Sequence, residues 1–192
     1  MGMSRELILF IDCGDTIVDE STQIFAGNGD VLSAEFIPGA GEMLKRLHRE
    51  GYRLALVADG RTASFHNIFR GHNLSHVFET WVISEEVGVC KPDARMFQTA
   101  LANMKLTPAD ADRVVMIGNN LKRDVLGANR MGITSVLLSY SPRYVMQPET
   151  AEEVPDYVAA MPCEIPELIH RLELEYKNRR ILAAPGAGST AL

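Results

Sequence analysis

Apolar residues in this chain fall into short unbroken runs, each followed at once by polar or glycine-bearing positions. Leu7-Ile8-Leu9-Phe10-Ile11 ends at Asp12, which predicts a central strand covered on both faces rather than a half-exposed one. Arg53 to Ala58, Thr80 to Ser84, Val114 to Ile117 and Thr134 to Leu138 predict four further strands, and Tyr157-Val158 a short edge strand. Between them the apolar spacing turns helical. Met43, Leu44 and Leu47 follow Pro38-Gly39 and stop at Gly51; residues 61–71, Pro92 to about Met104, Leu121 to Met131 and about Ile165 to Arg180 predict the other helices. Thr107-Pro108-Ala109-Asp110 reads as a helix cap with a first-turn proline and an acidic third position.

Strands alternating with helices predict an α/β fold: one Rossmann-like domain over residues 1–182, with a predominantly parallel sheet flanked by helices. Two segments stand outside that rhythm. Gln23 to Ala26 and Val31 to Ala34 flank Gly27-Asn28-Gly29-Asp30, whose Asn-Gly step favours a hairpin, so a small β flap is expected within about 17–36. Residues 139–156, with Ser139, Ser141, Pro142, Pro148 and Pro155, predict a surface excursion in which Tyr140, Arg143 and Tyr144 could form a rim; 183–192 predicts a disordered tail.

Composition narrows the partners. In 192 residues there are 19 Lys+Arg against 25 Asp+Glu, a net charge of −6, with the basic residues scattered, so no nucleic-acid partner is expected. Cys13, Cys90 and Cys163 share no metal or disulfide spacing, which points to a reducing compartment. With no apolar stretch near the roughly 18 residues of a membrane span, and no signal peptide ahead of the first strand, the expected setting is cytoplasmic with no membrane partner. The histidines, among them His66, His72 and His76, show no metal-ligand spacing at the strand ends and are expected in surface or packing roles.

In open α/β sheets the ligand site lies beyond the carboxyl ends of the strands. Four polar segments are placed there: Asp12-Cys13-Gly14-Asp15-Thr16, Ala58-Asp59-Gly60-Arg61, Cys90-Lys91-Pro92 and Gly118-Asn119 through Asp124. In order and spacing, from residue 7 to about 138, they resemble the haloacid dehalogenase-like (HAD) superfamily, whose members are mostly magnesium-dependent phosphatases with an aspartate nucleophile. The family's first motif, Asp-x-Asp-x-Thr, falls on Asp12 to Thr16. Its Ser or Thr after the next core strand falls on Ala58, its lysine on Lys91, and its Gly-Asp followed by a further Asp on Gly118-Asn119 and Asp124.

The resemblance implies that Asp12 forms an aspartyl-phosphate while Lys91 neutralises phosphate and restrains Asp12. It also implies that Mg²⁺ is held by Asp12, the Gly14 carbonyl, Asp124 and Asn119. The charges suit the chemistry, since a carboxylate attacking phosphorus must approach an anion and needs positive charge to offset repulsion.

Three positions depart from the pattern. Gly14 stands where the family has its acid/base aspartate, and losing that assistance typically costs ~10²- to 10⁴-fold; Asp15 or Asp59 is the expected substitute. Ala58 lacks the phosphate-holding hydroxyl, leaving the backbone N–H groups of Asp59 and Gly60, with Arg61 or the metal offsetting the Asp59 charge. Asn119 is an uncharged ligand.

The expected function is therefore a phosphatase-type hydrolase acting on a phosphorylated small molecule or macromolecule. Two alternatives are a weak or inactive relative that binds a phosphorylated ligand or protein partner, and, ranked lower, a haloacid dehalogenase. No large cap is expected, so the site is open or covered by a second copy in a homo-oligomer.

Overall fold

The computed structural model describes residues 5–141 and 143–183. The chain runs β1 (Ile8–Ile11), a hairpin of β2 (Ile24–Phe25) and β3 (Val31–Ser33), α1 (Ala40–Arg49), β4 (Arg53–Ala58), α2 (Thr62–Gly71), β5 (Thr80–Ile83), α3 (Ser84–Val87) and α4 (Ala94–Asn103). It continues through β6 (Val114–Gly118), α5 (Leu126–Arg130), β7 (Thr134–Leu138), β8 (Tyr157–Ala159) and α6 (Ile165–Ala183).

Six strands pair in the order β5-β4-β1-β6-β7-β8, all in parallel. Because successive strand side chains point to opposite faces, each strand feeds two cores. Leu9 and Ile11 of β1, Leu54 and Leu56 of β4 and Val115 and Ile117 of β6 pack on one face with Met43, Leu44 and Leu47 of α1, Phe65 and Phe69 of α2 and Ile169 of α6. Ile8, Phe10, Ala55, Val57, Val114 and Met116 pack on the other with Met96, Phe97 and Ala100 of α4. The result is a Rossmann-like sheet between two helical layers, with the central strands buried on both sides as their unbroken apolar runs require.

Some boundaries differ from the sequence expectation. The helix expected from Pro92 begins at Ala94, because the Asp93 carboxylate accepts the Arg95 N–H at 2.9 Å and caps it there. The segment from Leu121 divides into a wide five-residue π turn, Leu121–Val125, and α5. Thr107 to Asp110 makes the expected capping box, but the turns that follow, Pro108–Arg113, are 3₁₀. Helix α3 and the 3₁₀ turn Glu20–Thr22 carry no apolar periodicity and were not anticipated. Pro142 and residues 184–192 of the expected tail lie outside the described residues; Ala183, placed in that tail, instead ends α6.

The hairpin β2-β3 lies against α2, tied by Val31 N–H donating to Ser64 Oγ at 2.9 Å and Asn67 Nδ2 donating to Val31 O at 3.0 Å. His66 stacks on Trp81 and His72 on Phe36, so both histidines pack as expected. Among the described residues no helix is long and apolar enough to cross a membrane.

Candidate active site

The carboxyl ends of β1, β4 and β6 open on one side of the sheet, and Lys91 comes to meet them from the loop between α3 and α4. The Lys91 ammonium is buried and uses all three of its protons: it donates to Asp12 Oδ1 at 2.6 Å, to Asp124 Oδ1 at 2.7 Å and to the Val57 carbonyl at 2.8 Å. Asp12 is fixed from its other side, since Thr16 Oγ1 donates to Asp12 Oδ2 at 3.0 Å and the Asp12 N–H donates to Ile117 O at 2.9 Å. Asp12, Thr16, Lys91 and Asp124 therefore form one hydrogen-bonded cluster.

Asp124 reaches this cluster because the π turn folds it back over the end of β6. Its Oδ2 accepts the Asn120 N–H at 3.0 Å. Gly118 makes the approach possible: a Cβ there would lie 2.3 Å from Asp124 Cγ. Burial pushes the Asp124 carboxyl up to about 7, with the Asp12 charge adding to the rise and Lys91 opposing it. Burial alone would lower the Lys91 pKa, but the surrounding carboxylates Asp12, Asp124 and Asp59 reverse this and hold it above its ordinary value. Lys91 is thus permanently charged, and two carboxylates share one cation.

Asp12, Lys91 and Asp124 line a small cavity of about 40 Å³ together with Gly14, Glu20, Asp59, Asn119, Arg123 and Tyr144. Asn119 is buried and its Nδ2 has no hydrogen-bond partner. Among the described residues there is no group of three His, Cys, Asp or Glu side chains clustered to hold a metal. The oxygens available are two carboxylates, an amide and a backbone carbonyl. That set fits Mg²⁺, which commonly takes one or two carboxylates and completes its shell with water and substrate phosphate. A divalent cation would also offset the excess negative charge of the Asp12–Lys91–Asp124 cluster.

The second-motif loop differs from expectation. Asp59 lines the cavity, but its Oδ1 accepts the Lys91 N–H at 2.9 Å and its Oδ2 stands 3.6 Å from Arg123. Arg61 was expected to offset Asp59; instead it pairs with Asp30 at 2.9 Å and donates to Asn28 O at 2.7 Å. The Gly60 N–H, expected to hold phosphate, donates to Ser84 Oγ at 2.9 Å, and Ala58 is buried. Burial raises the Asp59 carboxyl, with Lys91 opposing.

Asp15, proposed as a substitute acid/base, adopts φ 50° and its carboxylate leaves the cavity. It pairs with Arg143, and its Oδ1 accepts the Glu20 N–H at 3.1 Å. Cys13 is buried among apolar neighbours, which raises its thiol well above the ordinary value and leaves it inert.

Glu20 and Arg123 were not among the sequence candidates, whereas Tyr144 was expected at the rim. Tyr144 belongs to the excursion after β7, which thereby contributes to the rim, and Arg143 of the same excursion approaches Glu20 Oε2 at 3.3 Å. Burial raises the Glu20 carboxyl, the nearby Asp15 charge adding to the effect and Arg143 opposing it.

Residues 14–138 match the family described as haloacid dehalogenase-like hydrolase. Glyceraldehyde 3-phosphate phosphatase of Pyrococcus furiosus is 32% identical over 139 residues, covering 72% of this chain and 55% of that protein. Phosphoserine phosphatase of Thermus thermophilus is 34% identical over 119 residues, 62% of this chain and 45% of that one. The chain thus spans about half the length of the curated relatives it matches. Among solved structures, an uncharacterized protein from Listeria monocytogenes superposes with a TM-score of 0.69 at 18% identity, covering 88% of this chain and 99% of that one. A protein named as a HAD-hydrolase, YfnB of Bacillus subtilis bound to magnesium, gives a TM-score of 0.67 at 17% identity with the same coverage.

Proposed function

The chain belongs to the haloacid dehalogenase-like hydrolase family, and from that premise we propose that it is a magnesium-dependent phosphatase acting through an aspartyl-phosphate on Asp12. The observation that carries this reading is the buried Lys91 ammonium held between Asp12 and Asp124. A lysine fixed against the nucleophilic carboxylate provides the positive charge that an attack on a phosphoryl group requires, and burial strengthens it. Relatives named as phosphatases support the same reaction class.

Thr16 and Lys91 orient the Asp12 carboxylate at the floor of the cavity. An Asp12 oxygen bonds to phosphorus as the bond to the leaving oxygen breaks, and the displaced alkoxide takes a proton. Water then attacks phosphorus, the bond to the Asp12 oxygen breaks, and the carboxylate and inorganic phosphate are released. Asp12, Asp124, Asn119 and the Gly14 carbonyl would hold Mg²⁺, which supplies polarisation of the phosphoryl oxygens when bound. Arg123, at the cavity wall beside Asp59, supplies further positive charge for the phosphate in place of the Gly60 amide, which Ser84 engages.

A second reading, a phosphate-binding relative without turnover, draws on Ala58, which leaves the second-motif position with no hydroxyl. One assay separates the two. Turnover of p-nitrophenyl phosphate and acetyl phosphate is expected with Mg²⁺, lost on its chelation and absent from Asp12→Asn protein. Equal rates for wild type and Asp12→Asn would overturn the phosphatase reading in favour of the second one.

A further inference from the structure

A Cβ built on Gly14 would lie 2.0 Å from Glu20 Oε1 and 2.9 Å from Glu20 Cδ, so a side chain at position 14 would have to displace the Glu20 carboxylate. The space that an acidic side chain at position 14 would enter is therefore already filled by a carboxylate arriving from six residues downstream. We infer that Glu20 is the proton-transferring group of this site, replacing the side chain that Gly14 lacks and serving a leaving group seated in the neighbouring cavity. The inference rests on the phosphatase reading and names the residue and the leaving-group class for it.

A second cavity, of about 180 Å³, adjoins the one holding Asp12 and Lys91. Among the described residues, Gly14, Glu20 and Asp59 alone line both. Gly14 has no side chain, and Asp59 is engaged by the Lys91 N–H and faces Arg123. Glu20 is held but not consumed. Its N–H donates to Asp15 Oδ1, and Arg143 stands 3.3 Å from Oε2, leaving Oε1 as the oxygen turned toward Gly14. The turn that carries Glu20 is pinned by Asp19, whose Oδ1 accepts the Ser21 N–H at 2.9 Å. Tyr144 lines the first cavity and not the second.

The second cavity is walled by Val18, Phe25, Val31, Phe65 and Ile68, contributed by the flap and α2, with Gln23, Ser64 and the Arg61 side chain, itself paired with Asp30, as polar points beside Glu20 and Asp59. Its chemistry suits the organic part of a phosphomonoester of a small alcohol with an apolar face. An alkoxide is a poor leaving group, so proton donation matters most for such a substrate. In the first step the Asp12 oxygen bonds to phosphorus, the bond from phosphorus to the alkyl oxygen breaks, and the Glu20 carboxyl proton passes to that oxygen to give the alcohol. In the second, Glu20 carboxylate takes a proton from water as the water oxygen bonds to phosphorus and Asp12 is freed, which restores the Glu20 carboxyl.

The test compares 2-phenylethyl phosphate, an alkyl ester, with p-nitrophenyl phosphate, whose aryl leaving group needs little protonation. Wild type, Glu20→Gln, Glu20→Ala, Asp12→Asn and the double variant Gly14→Asp/Glu20→Ala are assayed with Mg²⁺, and their melting temperatures are recorded. Glu20→Gln is expected to lower the ratio of alkyl to aryl kcat by ~10²-fold, within the range that general-acid assistance supplies. Gly14→Asp in the Glu20→Ala background, where the blocking carboxylate is gone, is expected to recover at least about tenfold of that ratio. A ratio that stays at the wild-type value while Asp12→Asn still abolishes turnover overturns the role of Glu20 and leaves the phosphatase reading standing. Turnover of neither ester above Asp12→Asn overturns the phosphatase reading and the role of Glu20 with it.

Discussion

Replacing Lys91 by Met leaves Asp12 and Asp124 facing each other at the end of a buried cluster with no cation between them. Three hydrogen bonds of the ammonium disappear together, including those at 2.6 Å and 2.7 Å to the two carboxylates. Removing one member of a buried charge network typically costs about 3–5 kcal/mol, because the charges that remain are uncompensated. At roughly 2–4 °C per kcal/mol for a chain of this size, the melting temperature should fall by about 6–20 °C at pH 8.

The loss should also depend on pH. Burial already raises Asp124, and deleting Lys91 removes the charge that opposes the rise. The Asp124 carboxyl then has a folded pKa still further above the unfolded value near 3.9. The folded variant binds more protons than the unfolded one, so its stability falls as pH rises through that window. Wild-type Lys91 stays charged throughout, its own pKa being raised. Urea unfolding at pH 5 and pH 8, without Mg²⁺, measures the difference. The deficit of Lys91→Met relative to wild type should be smaller at pH 5, and Lys91→Met/Asp124→Asn should recover part of it at pH 8. A deficit below about 1 kcal/mol, or one equal at both pH values, refutes the view of Lys91 as the counter-ion of this cluster.

Elsewhere, Glu173 anchors α6 to the start of β1 by accepting the Glu6 and Leu7 N–H groups at 2.9 Å and 3.0 Å. Burial would raise its pKa, but Lys177 and those two donors more than offset this and lower it. Its stabilisation is therefore present above the unfolded value and lost as pH falls through the folded one; Glu173→Gln should cost roughly 2–3 kcal/mol at pH 7 and flatten the acid limb of a melting-temperature profile. Gly127→Ala places a Cβ 2.4 Å from the Phe97 ring in the core, and chemical denaturation should report about 1–3 kcal/mol of destabilisation. Gly118→Ala displaces Asp124 from the cluster, so phosphatase turnover should drop by about 10² or more while most of the stability remains; unchanged kcat would argue that Asp124 need not sit at this position.

The sheet was legible because the central strands are buried on both faces and show this as unbroken apolar runs ending at Asp12, Ala58 and Gly118. The loops after β1 and β6 converge by topology, which brings Asp12 and Asp124 to one end of the sheet, whereas Lys91, in the loop between α3 and α4, joins them in the sequence only through the order of the family's motifs. What escaped the sequence depends on the path of irregular segments. Glu20 sits on a 3₁₀ turn with no periodicity, and nothing local indicates that its carboxylate folds back over Gly14. Arg61 and Arg123 look equally suited to offset Asp59, but the flap takes Arg61 through Asp30, while the π turn brings Arg123 to the site. Ser84, on the unanticipated α3, occupies the Gly60 amide that the motif alone would leave free for phosphate.

The central claim is that Asp12 carries the phosphoryl group during turnover. The direct measurement is to mix wild type with ³²P-labelled acetyl phosphate and Mg²⁺, quench in acid within the first turnover, and map the labelled peptide. An acid-stable, base-labile label is expected on the peptide containing Asp12 and absent from Asp12→Asn. Turnover without any such label, or a label that survives Asp12→Asn, would contradict the claim.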